Sequence, residues 1–106
     1  MLVLANLANK LNRKNIDHIK NVLVINSLFI FIFACIYYMY GDGDNFNLPS
    51  YYGENGKMNF IDCVYFSGIT HLTVGYGDIA GKSSFVKMVI ICQLFIMILL
   101  LGVDLN

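Results

Sequence analysis

Tryptophan is missing from this chain, proline occurs once, and charged residues fill only 13% of its 106 positions. Ordinary soluble domains carry roughly a quarter charged residues. With 58% hydrophobic residues, the shortage of charge points to a membrane. Formal net charge is zero, so no nucleic-acid partner is invited. Arg13 is the only arginine, which excludes an Arg-rich voltage-sensing helix. Cysteine is scarce too. Cys35, Cys63 and Cys92 are odd in number, far apart and set in apolar runs. They offer no disulfide framework or zinc spacing and read as small buried hydrophobes. No nucleophile–base pair or cofactor motif suggests an enzyme or a small-molecule substrate. The length allows one small domain per copy.

Long apolar runs are what the chain does have. "VLVINSLFIFIFACIYYMY" (22–40) carries no charge, and "FVKMVIICQLFIMILLLGV" (85–103) carries only Lys87. Each is close to the ~20 residues a helix needs to cross a bilayer core, and lipid forces both into helices. Tyr37, Tyr38 and Tyr40 gather at one end of the first, as interfacial aromatics do. Lys87 can extend its stem to the headgroups. A basic start before an apolar core also describes a secretory signal, but this run is too long for a signal core and no A-x-A site follows. A third run, "FIDCVYFSGITHL" (60–72), is too short to span and holds Asp62 and His71. Such runs are re-entrant or core segments. Asn59 is placed to cap it, with Asp62 in its first turn, where a carboxylate suits the helix dipole.

Charge sets the orientation. Lys10, Arg13, Lys14 and Lys20 precede the first span, whereas Lys57 and Lys82 lie between the two. The excess places both termini in the cytoplasm and the connecting loop outside. Residues 1–21 then form a cytoplasmic N-terminal segment. Leu4, Leu7 and Leu11 lie at helical spacing there, which fits a helix lying in the inner interface as well as a frayed, solvated tail. Residues 41–59, rich in Gly, Asn and Asp and holding the only proline, Pro49, read as an irregular extracellular loop.

Between the short helix and the second span stands "THLTVGYGD" (70–78). A phosphate-binding loop ending at Gly81-Lys82-Ser83 would need its first glycine where Tyr76 stands, and a dinucleotide fingerprint misses Gly81 by one residue. A calcium loop at Asp42 fails at Phe46 and Asn47. The surviving reading uses backbone oxygens. A cation entering a membrane must exchange water for other oxygens. Consecutive carbonyls face one way only if φ alternates in sign, and glycine takes positive φ at little cost. Gly75 and Gly77 supply that, on non-helical backbone tolerated where it lines a watery pore. Thr73 adds a hydroxyl, while Val74 and Tyr76 would point away and brace the wall. The short helix would aim its negative C-terminal end at the cation. Two spans and a loop enclose nothing alone, so a closed ring needs symmetric copies.

Thr73-Val74-Gly75-Tyr76-Gly77 is the signature filter of potassium channels. The whole layout resembles their pore module. With "IDCVYF" (61–66) ahead of "THLTVGYGD", it is similar to the miniature potassium channels encoded by large DNA viruses of algae. The resemblance covers nearly the whole chain in layout and is strong in sequence over 60–78. It implies an all-α membrane protein: two transmembrane helices flank a re-entrant pore helix (60–72) and selectivity filter (73–78) in a four-fold symmetric homotetramer. It implies passive, potassium-selective conduction without a voltage sensor or ligand domain, in a host-cell or virion membrane. The partners are potassium ions, the lipid bilayer and copies of the chain itself; no cofactor is implied. Thr73, Val74, Gly75 and Tyr76 would coordinate potassium, Gly77 would shape the outer mouth, Asp78 would hold the filter, and Thr70 and His71 would end the helix beneath it.

Two departures stand out. Many potassium channels carry a polar partner four residues before the filter threonine, where this chain has Ile69. Some carry a glycine hinge midway along the second span, where Met97 falls here. Gating would then rest on the filter or on a leucine-rich exit around Leu99–Leu101. His71 reads as a neutral, hydrogen-bonded side chain. Gln93 fits a cavity lining or an interhelical hydrogen bond, and Asp104 an inner-mouth charge or a solvated helix end. A non-selective cation channel shares the layout, although Tyr76 argues against it. A non-conducting membrane anchor would not need the glycine spacing.

Overall fold

A computed structural model describes the backbone of residues 13–53 and 55–104 and the side chains of 16–53 and 55–100. Leu4, Leu7 and Leu11 lie outside the described residues. Helix α1 spans Arg13–Met39, α2 spans Phe60–His71 and α3 spans Ser84–Asp104. At about 1.5 Å per residue, α1 is roughly 40 Å long and α3 roughly 30 Å. Helix α1 begins nine residues before the apolar run at Val22, because hydropathy marks the part suited to lipid and not the end of the helical hydrogen bonding. Its stretch Ile16–Met39 is long and apolar enough to cross a bilayer, and little of it is buried within the chain. The described apolar part of α3, Ser84–Leu100, is shorter.

Helix α2 begins where the sequence places a cap. Asn59 accepts the Asp62 amide at 2.8 Å. Asp62 also ties down the loop before it. Its carboxylate accepts the phenols of Tyr51, at 3.3 Å, and of Tyr52. Both belong to a single 3-10 turn, Ser50–Tyr52. Burial, then the bond to Asp62, pushes the Tyr52 phenol up to about 12. The loop between α1 and α2 is thereby fastened to the start of the short helix.

Among the described residues, the fold departs from purely helical at an isolated antiparallel bridge between Asp42 and Lys57 and at a two-stranded clip. Strand β1, Phe46–Asn47, pairs antiparallel with β2, Ala80–Gly81, in the register Phe46↔Gly81 and Asn47↔Ala80. The clip joins the loop between α1 and α2 to the segment leaving the glycine-rich stretch. The core lies beneath it. Phe33, Ala34 and Tyr37 of α1 meet Phe46, Met58, Cys63, Phe66, Ile79 and Val86. Helix α2 packs chiefly on α1. With extents of 53 × 30 × 18 Å, the chain is a thin slab, and large apolar side chains such as Leu23, Phe31, Phe95 and Leu99 stand exposed on it.

Candidate functional site

The stretch Leu72–Asp78 emerges from the C-terminal end of α2 and is exposed throughout. Its base is stitched to the last helical turn. Leu72 N donates to the Gly68 carbonyl at 2.9 Å, Thr73 N to Thr70 at 3.1 Å, and both Val74 N and Gly75 N to Ile69, at 2.8 and 3.2 Å. Ile69 lacks a polar side chain, yet its carbonyl anchors two amides of this stretch. The Thr73 hydroxyl donates to the Leu72 carbonyl at 2.6 Å.

Beyond that anchor φ alternates. Thr73 lies at +60°, Gly75 at +56° and Gly77 at +85°. Alternation turns successive carbonyls towards one side and lets side chains leave by the other. Among the described residues, no hydrogen bond is accepted by a carbonyl between Thr73 and Gly77. A run of unpaired backbone acceptors is rare in folded proteins unless water, ions or another chain meets them. Val74 and Tyr76 are 48% and 72% exposed. A cavity of about 440 Å³ opens beside the stretch, walled by Thr70, Thr73, Gly75, Gly77, Ile90 and Leu94.

The supporting residues are distributed as follows. Asp78, above the glycines, accepts the Tyr65 phenol at 2.9 Å. This partner on α2 stands one helical turn before Ile69, the position where the sequence offered none. His71 is buried at the end of α2, with Nε2 2.8 Å from Asn26 Oδ1. The Asn26 amide donates its Nδ2 to the Val22 carbonyl at 2.8 Å, so its oxygen faces the ring and Nε2 carries the proton. Thr70 is half-buried beside the cavity. Gln93 is fully buried between the helices; of its two sequence readings, the interhelical hydrogen bond is the one formed, because Tyr37 and Ser67 engage both ends of its amide. Leu101 and Asp104 belong to α3, but their side chains lie outside the described ones.

Tyr65, Asn26, Ser67 and Tyr37 went unnamed as site residues in the sequence. A signal existed for two of them. Asn26 and Ser67 are polar groups in apolar runs, and such groups need partners in a membrane or a core. Tyr65 and Tyr37 carry no such mark, since a phenol at a helix surface looks the same whether or not it is bonded.

The ion channel family model matches residues 25–106. The potassium channel protein kcv of Paramecium bursaria Chlorella virus 1 is 33% identical over 73 residues, 67% of this chain and 74% of that protein. No solved structure matches.

Proposed function

The chain belongs to the ion channel family, an integral membrane protein, and from that premise we propose that it is a potassium-selective channel whose filter is the backbone of Thr73–Gly77. The carrying observation is the positive φ at every second residue, 73, 75 and 77, on carbonyls without partners among the described residues. Dehydrating a cation in an apolar medium costs on the order of tens of kcal/mol, so a permeation path must return oxygens to it. In a homotetramer, each level of the filter presents four carbonyls, and an ion between two levels meets about eight oxygens. Thr73, Val74, Gly75 and Tyr76 coordinate potassium, and Gly77 shapes the outer mouth. The slab shape, the exposed Val74 and Tyr76 and the open cavity beside the filter all favour neighbouring copies that complete the wall.

In this reading α1 and α3 cross the bilayer, α2 is the re-entrant pore helix, and residues 41–59 face outside. Both termini are cytoplasmic, in a host-cell or virion membrane. Asp78, Thr70 and His71 support the filter, while Leu101 and Asp104 flank the inner mouth. Gating rests on the filter or on the leucine-rich exit.

The reversal potential tests this reading, with potassium on one side of a planar bilayer and sodium on the other. We expect a value set by the potassium gradient. A value near zero with clear current would replace the reading with a non-selective cation channel, and no current from folded, assembled protein would replace it with a membrane anchor.

Tyr65→Phe removes a hydrogen bond to a carboxylate at the mouth. Such bonds contribute on the order of 1 kcal/mol when exposed, so we expect the open–closed balance of single channels to shift by about threefold to tenfold. Unchanged open probability would show that Asp78 is held by other means.

A further inference from the structure

Gln93 is the only described residue of α3 that hydrogen-bonds α2. Its Oε1 accepts the Tyr37 hydroxyl of α1 at 2.7 Å. Its Nε2 donates to the Ser67 carbonyl of α2 at 3.1 Å and to Ser67 Oγ at 3.0 Å. The Ser67 hydroxyl donates in turn to the Ile30 carbonyl of α1 at 2.7 Å. One chain of bonds therefore joins all three helices through the buried side chains of Tyr37, Ser67 and Gln93. Apolar residues of similar shape would hold three helices together about as well, because a buried polar network recovers little beyond its own desolvation. What apolar residues would not supply is a directional grip on one carbonyl.

That carbonyl lies in the last turn of α2. The next three carbonyls, Gly68, Ile69 and Thr70, hold the amides of Leu72, Val74, Gly75 and Thr73. A displacement of α3 pulls on Ser67 and, one peptide later, on the carbonyls that anchor the filter. We propose that Gln93 is a positioning residue of the filter, which couples α3 to the last turn of the pore helix and so sets how long the filter stays conductive. The proposal rests on the conduction reading above.

Three variants of the full chain, studied as single channels in planar bilayers and by thermal stability of the assembled protein in detergent, separate coupling from mere packing. Tyr37→Phe leaves the grip on Ser67 intact but orphans Gln93 Oε1; we expect lower stability and wild-type dwell times. Gln93→Leu releases Ser67 and orphans the Tyr37 hydroxyl; we expect lower stability and mean open times changed by about tenfold. The double variant removes both orphans; we expect stability to recover towards wild type while the open times stay shifted. Gln93→Met takes the place of Gln93→Leu if the latter does not assemble. Gln93→Leu open times within about twofold of wild type, or open times that follow stability across the three variants, would overturn the proposal alone. Wild-type protein without potassium-selective current would overturn the conduction reading, and this proposal with it.

Discussion

Gly75→Ala is expected to abolish potassium current from assembled, correctly folded channels. The reason is conformational and not a clash within the chain. A Cβ at Gly75 meets no atom within 4 Å, but φ there is +56°. An L-residue held in the left-handed region costs about 1–2 kcal/mol, so four copies in one ring would add about 4–8 kcal/mol of strain at a single level of the filter. The chain can relieve this locally, since among the described residues no hydrogen bond holds the carbonyls at stake. Turning the peptide ahead of residue 75 carries the Val74 carbonyl away from the common side. A coordination shell then loses oxygens that no other group of the chain replaces. Flux of a potassium tracer into vesicles reads the loss, and the size of the assembled species in detergent shows whether folding survived. D-Alanine at position 75, introduced by semisynthesis, adds the same methyl while favouring positive φ, and it should restore current. Equal current from the L- and D-alanine variants would mean that φ at this position does not matter to conduction, and the carbonyl filter would fall with it.

How much of this was legible in the sequence depends on how local the cause is. Two glycines at alternate positions announced the φ alternation at 75 and 77, because positive φ is written in the absence of a Cβ. Thr73 at +60° was not legible, since a β-branched residue ordinarily avoids that region; it is held there by the amide anchors on Thr70 and Ile69. Asn59 was legible as a cap because its partner is three residues away. Asp62 was legible as a first-turn carboxylate, but its two phenol partners were not: they depend on the 3-10 turn at Ser50–Tyr52 that brings them within reach. The β1–β2 clip joins residues more than thirty positions apart, and two-residue strands leave no periodicity to find. The same distance explains Gln93, whose partners Tyr37 and Ser67 are 56 and 26 residues away. From sequence its two readings have equal warrant, and only the packing of three helices selects one. For Asp78, Ile69 left the usual polar partner missing and pointed to support from other contacts; Tyr65 supplies one, reaching the carboxylate from one turn earlier on the helix.

Phe66→Ala is expected to destabilise the folded chain by about 3–5 kcal/mol, as aromatic truncation in a packed core does. Phe66 is 4% exposed. Its ring meets Tyr37 edge to face at 5.1 Å and 80°, and Phe46 at 5.3 Å and 87°. Tyr37 and Phe46 close the triangle at 5.9 Å and 88°. Each ring comes from a different part of the chain: α2, α1 and strand β1. Removing one ring therefore opens a void where α2, α1 and the β1–β2 clip converge, and it forfeits about 0.5–1.5 kcal/mol of oriented contact per aromatic pair beyond the lost area. Phe46 in turn pairs through its backbone with Gly81, two residues after Ile79. A clear fall in the thermal midpoint of the assembled protein in detergent, followed by circular dichroism, checks the size of the effect. Phe66→Leu refills part of the volume without restoring the edge-to-face pairs, so it should fall between wild type and alanine. A midpoint for Phe66→Ala equal to wild type would mean that lipid or a neighbouring copy fills the void at no cost, and the triangle would then be a consequence of the fold and not one of its supports.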